Sequence, residues 1–251
     1  MTRAILTQGG VPMPEGLVVT REEKSPEYNG PFPAVVKPTR MENSVGVELV
    51  HDKDEMEEAL EGAWQYGDAA VVDTFKAGRE VRCGAVELVD GKVMALGCIE
   101  YKVAKNEIVS KIKFPLKNSI LVLSNDKVAK DEIRRYEEKL EGSNDQLRLA
   151  AGSSATRFIE ESEEPKLVRK LQQIAVRIHQ VLGCRDFSQY DCRVTEEGKV
   201  YVLEVNSFCS FGPLSLLTRL ASREGISPGK LYNSLLERAA SRGRGLFATE
   251  F

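Results

Sequence analysis

The chain has 251 residues, of which 42% are hydrophobic and 29% charged, and its formal net charge is -3 at pH 7. This length is enough to bury a core in one large domain or in two smaller lobes. Acids and bases are interspersed, which argues against a nucleic-acid or anionic-membrane partner, and two histidines nearly exclude a Ser/His/Asp triad or a multi-His metal site.

No apolar run approaches the roughly 20 residues of a membrane span, and the N-terminal MTRAILTQGG lacks the apolar core of a signal peptide. We therefore expect a cytoplasmic protein. The five cysteines are odd in number and form no CxxC pair, which argues against a disulfide framework or a zinc knuckle. Cys83 and Cys98 would face each other in a hairpin that turns at residues 90–91, and we interpret both as small buried hydrophobic residues.

A first lobe is predicted over residues 1–72. It begins with a short helix and the turn-rich GGVPMPEG, and continues with strands over 17–20, 34–37 and 45–50. The loop PTRMENS joins the last two strands. Asp52, with Glu55 three residues later, predicts the start of a helix whose apolar stripe ends near Trp64.

A second lobe is predicted over residues 73–251, opening with a strand over 70–75 that crosses the boundary. The hairpin EVRCGAVELVDGKVMALGCIEY follows, with a turn at its Asp-Gly pair. A mostly charged helix is predicted over 127–140, and apolar residues at helical spacing predict another over 165–182. After the loop SFCSFGPLS, two helices are predicted over 214–224 and 228–242. Hairpins alternating with helices predict an α+β fold.

The segment YDCRVTEEGKVYVLEVN, residues 190–206, alternates as a hairpin with one apolar face. The apolar face would hold Tyr190, Cys192, Val194, Tyr201, Leu203 and Val205. The polar face would hold Asp191, Arg193, Val202, Glu204 and Asn206.

A two-residue turn at residues 197–198 would set Asp191 opposite Glu204, and Gln189 opposite Asn206. Two carboxylates and a carboxamide are hard oxygen ligands suited to Mg²⁺ shared with nucleotide phosphates. The alternative is an amphipathic hairpin with a solvated acidic face.

The segment VVKPTRMENSVGVELV predicts a phosphate-binding loop. Lys37 ends a strand and supplies a point charge, while the hydroxyl of Ser44 and the backbone N–H groups near Gly46 supply further donors. The order of a P-loop is absent. The alternative is a surface hairpin with a Lys-Pro corner.

The sequence contains six motifs in the following order along the chain: VVKP, ENSVGV, VVDTFKAGREV, CRDFSQYDCRV, VYVLEVN and FGPLSLL. In this order they resemble the ATP-grasp ligases, and within them the D-alanine:D-alanine ligase group, over about residues 32–217. The resemblance implies two α+β lobes with antiparallel sheets that clasp ATP between them. Residues 102–158 align poorly.

The resemblance also implies how ATP is held. Lys37 would bind the phosphates, and Glu42 and Ser44 would belong to a mobile phosphate loop. Residues 73–76 would form the hinge whose backbone reads adenine. The hinge contains Asp73, Phe75 and Lys76, of which Phe75 would line the adenine pocket. Glu80, which follows the hinge, would bind the ribose hydroxyls.

The remaining roles follow from the same resemblance. Lys127 would be a second phosphate lysine, with Lys102 as the alternative, and Ser215-Leu216 would hold the carboxylate of the second substrate. The metal ligands would be Asp191, Glu204 and Asn206, binding Mg²⁺ with Mn²⁺ as a possible substitute.

The implied reaction is carboxylate activation through an acyl phosphate that an amine then attacks, and D-alanyl-D-alanine is the nearest named product. The expected partners are amino-acid-like small molecules, without nucleic acid or membrane, and a second copy of the chain or a missing N-terminal domain. Two rivals stay open: an ATP-dependent phosphotransferase, and an ATP-binding module that does not turn over.

Three departures from the family separate this chain from its relatives. By the resemblance, we expect the chain to begin where the family's N-terminal domain has already ended, and Ser210 stands where the family has a glycine. Gln189 stands where the family has an arginine that stabilises the tetrahedral intermediate. Arg193, on the same predicted face, is our hypothesis for the residue that replaces it.

Overall fold

The computed structural model describes residues 2–22, 28–41, 44–101, 156–210, 212–213 and 215–242. These residues form two compact units: a small one within 14–77, and a large one that combines 2–13, 78–101 and the described residues from 156 onward. The sequence-predicted boundary at 72–73 falls inside a strand, Ala69–Thr74. The first helix belongs to the large unit because its Leu6 is buried in that unit's core.

The small unit contains a four-stranded antiparallel sheet in the order β1–β4–β2–β3. Its elements are β1 Gly16–Thr20, β2 Ala34–Pro38, β3 Glu48–Val50, α2 Lys53–Ala63, a 3₁₀ turn Trp64–Tyr66 and β4 Ala69–Thr74. Helix α2 begins as predicted because the Asp52 carboxylate accepts a hydrogen bond from the Glu55 N–H at 2.9 Å. Glu55 in turn accepts one from the His51 N–H at 2.8 Å.

Strand β3 is shorter than the predicted 45–50 because the chain turns first. Ser44 and Gly46 have φ angles of 60° and 70°, in the left-handed region, and the Val47 N–H donates to the Ser44 carbonyl at 3.2 Å. A Cβ at residue 46 would lie 2.8 Å from Pro38. Glycine therefore fits this turn on two grounds, its φ angle and its close contacts.

The large unit contains a six-stranded antiparallel sheet in the order β10–β9–β5–β7–β8, with β6 also paired to β5. Its strands are β5 Arg79–Glu87, β6 Val93–Ala95, β7 Cys98–Tyr101, β8 Thr156–Ile159, β9 Phe187–Val194 and β10 Val200–Asn206. Its helices are α1 Thr2–Gln8, α3 Pro165–Val181, α4 Leu216–Arg223 and α5 Pro228–Ser241. Among the helices that the structure describes, none is both long and apolar enough to cross a membrane.

The core of the large unit forms between its sheet and α3. The 3.6-residue apolar repeat of α3 places Leu171 and Ile178 fully out of solvent against Tyr190 and Val202 of the sheet. The helix stops before Gly183, whose φ is 61°.

The β9–β10 hairpin turns differently from the prediction and yet reaches the predicted pairing. The turn has three residues and ends at Gly198 with φ of 73°, since the Thr195 N–H donates to the Lys199 carbonyl at 2.9 Å. The pairing near the turn is therefore offset by one residue, and a register shift between Val202 and Glu204 removes the offset.

The register shift changes which side chains share each face. Tyr201, opposite Arg193, lies on the polar face, and Val202, opposite Cys192, is buried in the core, so both predicted positions were wrong. Leu203 is the extra residue of the irregularity. Beyond it, Asp191 pairs with Glu204 as predicted.

The hairpin from β5 shows the same pattern. Its turn ends at Gly91 with φ of 77°, and the pairing of β5 shifts by one residue between β6 and β7. Cys83 and Cys98 are buried free thiols in one core, as expected from the sequence. A hydrogen bond with Cys192 and burial both raise the pKa of Cys83.

Candidate functional site

One face of the large sheet carries polar and charged side chains from three adjacent strands. On β5 and β9, Arg82 is opposite Asp191. On β9 and β10, Asp191 is opposite Glu204, and Gln189 is opposite Asn206, which confirms the predicted pairing. Because residues two apart in a strand share a face, all five side chains lie on the same side of the sheet.

Three of these residues have the chemistry of a magnesium site. Directly opposed residues such as Asp191 and Glu204 place their Cβ atoms about 4.5–5.5 Å apart, and Asn206 follows two residues after Glu204. Asp191 is buried at 6% exposure, whereas Glu204 is exposed. Within the described residues, no group of three or more His, Cys, Asp or Glu side chains is placed to hold a metal ion, so the set depends on two carboxylates and one carboxamide. These oxygen donors fit Mg²⁺.

Arg82 is the residue of this face that the sequence analysis missed. Its Nε and Nη2 donate to the two carboxylate oxygens of Asp191, with Nη2 to Oδ2 at 2.5 Å. Its Cζ lies 5.7 Å from the centroid of the Tyr101 ring. Burial, the largest single influence, lowers the pKa of Arg82, but Asp191, Tyr101 and Glu80 together raise it by more, so this pKa lies well above its usual range. Strand periodicity gave a signal, since Arg82 stands two residues after Glu80.

Arg193 lies on the predicted face, but its guanidinium is directed along the sheet away from Gln189. Its Nη1 donates to the Gly78 carbonyl at 3.1 Å, and its Nη2 lies 3.9 Å from the carboxylate of Glu80. Glu80 is directly opposite Arg193 and is itself buried at 7% exposure. The structure thus joins Arg193 to the predicted ribose carboxylate, with Asp191 between it and Gln189 along β9.

Gln189 is buried at 4% exposure, and its Nε2 has no hydrogen-bond partner within the part of the chain that the structure describes. A buried amide N–H without an acceptor is uncommon in folded proteins. The unpartnered amide of Gln189 is therefore, after the buried charge of Arg82, the second feature of this face that packing alone does not explain.

Ser215 is engaged in capping helix α4. Its Oγ accepts a hydrogen bond from the Thr218 N–H at 3.4 Å and lies 3.1 Å from the Thr218 hydroxyl. Burial at 4% exposure keeps this hydroxyl at the start of the helix. Ser210 is exposed, and Lys102 and Lys127 lie outside the described residues.

In the small unit, the predicted phosphate lysine is joined to the predicted hinge. Lys37 on β2 places its Nζ 2.9 Å from Oδ2 of Asp73 on β4, and Asp73 is buried at 3% exposure. The turn at Ser44–Gly46 follows in the same unit, whereas Glu42 lies outside the described residues.

The hinge is fixed to the small unit by its own backbone. The Phe75 N–H donates to the Pro33 carbonyl at 3.0 Å, and the Thr74 N–H donates to the Glu15 carbonyl at 2.8 Å. The Lys76 ammonium lies 2.5 Å from the Glu15 carboxylate. Phe75 is half-buried. The N–H groups of residues 74 and 75 are therefore already engaged.

Comparisons with known proteins agree with the motifs. A family model described as the D-ala D-ala ligase C-terminus matches residues 5–140 and 116–237. The D-alanine–D-alanine ligase of Citrifermentans bemidjiense is 30% identical over 239 residues, covering 95% of this chain and 65% of that relative. The chain thus spans less than two thirds of this relative's length.

Solved structures show the same fold. The VanG D-Ala:D-Ser ligase from Enterococcus faecalis aligns with a TM-score of 0.68 at 20% identity, covering 94% of this chain and 59% of that one. The D-alanine–D-alanine ligase from Bacillus anthracis complexed with ATP aligns with a TM-score of 0.64 at 24% identity, covering 96% and 67%. Both likenesses confirm the fold expected from the sequence.

Proposed function

This chain belongs to the D-ala D-ala ligase C-terminus family and has the ATP-grasp fold, and on that premise we propose that it is an ATP- and Mg²⁺-dependent carboxylate–amine ligase. Its substrates are amino-acid-like, and D-alanyl-D-alanine is the first product to test, because that is what the matched relatives are named for. The observation that carries the proposal is the pairing of Asp191 with Glu204, beside Asn206, on the polar face of the large sheet.

The small unit supplies the groups proposed to hold the nucleotide's phosphates. Lys37, whose ammonium stands on a flexible stem, would extend to a phosphate oxygen, and nucleotide binding would offset the loss of its contact with the buried Asp73 carboxylate. The backbone of the Ser44–Gly46 turn, and Glu42 beside it, would close the phosphate loop, and Lys127 would add a second cation.

The nucleoside would be held at the hinge and at β5. Residues 73–76 would present backbone groups to adenine, with Phe75 against the ring, and the Glu80 carboxylate would accept hydrogen bonds from ribose hydroxyls. Asp191, Glu204 and Asn206 would hold Mg²⁺, for which Mn²⁺ is a possible substitute. The bound cation would neutralise charge on the transferring phosphoryl group.

The proposed chemistry needs positioning more than acid–base groups. A carboxylate oxygen of the first substrate attacks the γ-phosphorus, and the bond to the β–γ bridging oxygen breaks, which releases ADP and leaves an acyl phosphate. The amine of the second substrate then attacks the acyl carbon, loses a proton and expels inorganic phosphate. A chain with two histidines is compatible with this demand.

The test is ADP and phosphate release during an amino-acid screen that includes D-alanine. Release that requires both a carboxylate and an amine is the expected result. A stable phosphorylated product would instead indicate a phosphotransferase, and ATP-stabilised melting without turnover would indicate a binding module. Glu204→Gln should abolish release, while Glu196→Gln, the same change at an exposed position of the same hairpin, should not.

A further inference from the structure

On the polar face of the large sheet, the buried Gln189 Nε2 has no hydrogen-bond partner among the described residues, and on the neighbouring strand the guanidinium of Arg82 has more N–H groups than the Asp191 carboxylate engages. We propose that Arg82 and Gln189 together bind an oxyanion, and that Arg82 supplies the positive charge for this site. The proposal rests on the proposed function only in taking the oxyanion to be the substrate carboxylate or the phosphoryl group attached to it.

The Arg82 guanidinium has five N–H donors, of which those on Nε and Nη2 hold Asp191 in a bidentate pair. The Asp191 pair fixes the plane of the guanidinium, and the Tyr101 ring lies 5.7 Å from its Cζ. The remaining donors are therefore held in one orientation before any ligand arrives, which reduces the entropy lost on binding.

Gln189 is the neutral half of the site. Its amide is buried at 4% exposure with Nε2 unpartnered. Leaving such a donor unsatisfied destabilises the folded protein, so its presence is explained if an acceptor arrives with a ligand.

The register brings the two donors together. Gln189 is opposite Gly84, and Arg82 is two residues from Gly84, so Arg82 and Gln189 are diagonal neighbours about 7–8 Å apart. A Cβ at residue 84 would lie 3.1 Å from the Ser188 carbonyl oxygen and 3.6 Å from Cγ of Gln189. Glycine at this position therefore lets the strands and the Gln189 side chain pack closely here.

Of the two arginines on the polar face of β5 and β9, Arg82 is the one adjacent to Gln189. Arg193 lies on the far side of Asp191, with its guanidinium on the Gly78 carbonyl and near Glu80. The structure therefore favours Arg82, and not Arg193, as the cation that accompanies the neutral residue at position 189.

The direct test is the side-chain amide resonance of Gln189, identified by its loss in Gln189→Met. Wild-type protein is titrated with sodium acetate, sodium phosphate and sodium chloride at matched ionic strength. We expect a saturable shift with acetate, phosphate or both. A response to acetate alone indicates the carboxylate as the natural source, and a response to phosphate alone indicates the phosphoryl group. If neither anion moves the resonance more than chloride does, the proposal is wrong.

Variants then assign the charge. Arg82→Met should weaken anion binding about 10-fold or more, as expected for a lost charged hydrogen bond, and Arg82→Lys should retain part of it. Arg238→Met, which also removes an arginine–carboxylate pair with a 2.5 Å contact in the large unit, should bind as wild type. Wild-type affinity in both Arg82 variants would overturn the assignment, and Arg82→Lys decides it if Arg82→Met does not fold.

The outcomes separate this proposal from the proposed function. A saturable shift without ADP release from any substrate pair would contradict the ligase and support the oxyanion site. ADP release from an amino-acid pair without any anion-dependent shift would do the reverse.

Discussion

The two faces of the large sheet bury polar groups in opposite ways. On the α3 side the fully buried polar groups are uncharged: His179 Nδ1 lies 2.7 Å from the Ser188 hydroxyl, which in turn contacts the Tyr190 hydroxyl. The ion pair of Arg79 with Glu164 on that side joins partly exposed side chains. On the other side the charges are retained and paired, with Arg82 on Asp191.

Each face also contains a buried nitrogen without a partner, His179 Nε2 on one and Gln189 Nε2 on the other. An unsatisfied atom therefore does not distinguish a ligand site from a core. What distinguishes Gln189 from His179 is the guanidinium of Arg82 beside it. Burying a charged group has a desolvation cost, so packing alone would not favour an arginine at this position. Four predictions test this contrast.

The largest effect on stability is expected on the polar face. Arg82→Met should lower the free energy of unfolding by about 2–4 kcal/mol, because it leaves the Asp191 carboxylate buried without its partner. The value lies below the full range for buried pairs since 19% of the Arg82 side chain is exposed. Urea unfolding followed by circular dichroism measures it. Adding Asp191→Asn should recover part of the loss, and a single variant as stable as wild type would contradict the pairing.

On the α3 side of the sheet, Tyr190→Phe should lower the free energy of unfolding by about 1–2 kcal/mol, because the variant removes a buried hydroxyl that contacts Ser188. The ring stays and still fills the core. The same urea experiment applies, with Tyr201→Phe on the polar face as the matched control. A loss for Tyr190→Phe no larger than that of the control would show that the hydroxyl contact contributes little.

The free energy of unfolding should also depend on pH through His179, on the α3 side of the sheet. Burial lowers the pKa of His179 below its ordinary value of about 6.5. The unfolded chain therefore binds more protons below pH 6.5, and the free energy of unfolding should fall as pH falls from about 6.5 toward the folded-state pKa. One proton gives a slope of at most about 1.4 kcal/mol per pH unit. His179→Gln should flatten this part of the profile between pH 7.5 and 5.5, and an unchanged slope would argue against a neutral buried imidazole.

The smallest effect is expected at Gln189. Gln189→Met should change the free energy of unfolding by less than about 1 kcal/mol, because removing an unsatisfied donor offsets the lost carboxamide interactions. Thermal and urea unfolding both measure this. A large loss of stability would mean that the Gln189 amide stabilises the folded protein, and it would argue against a ligand-binding role.

Local patterns predicted the described helices and the polar face well, while the helix predicted over 127–140 lies outside the described residues. Helical spacing located α3, and the Asp52 cap located α2, because both signals are short in range. Period-two alternation placed Asp191, Glu204 and Asn206 on one face. It failed at Val202, because turn length and the register shift depend on backbone conformation at Gly198 and along β10.

The Arg82 pair could not be predicted in the same way. Arg82 and Asp191 are 109 residues apart in sequence, so their contact depends on which strands become neighbours and in which register. Likewise, the alternation placed Arg193 on the correct face but gave no information about its partners. Side-chain direction within a face is decided by the groups across the strand, such as Glu80 and Gly78.

The proposed function requires that the polar face of β9 and β10 bind the metal of Mg²⁺-ATP. Calorimetric titration of ATP with and without Mg²⁺, on wild type, Glu204→Gln and Glu196→Gln, measures whether it does. Mg²⁺ should tighten ATP binding about tenfold or more in wild type and Glu196→Gln, and this gain should be lost in Glu204→Gln. The same gain from Mg²⁺ in all three proteins would contradict the account.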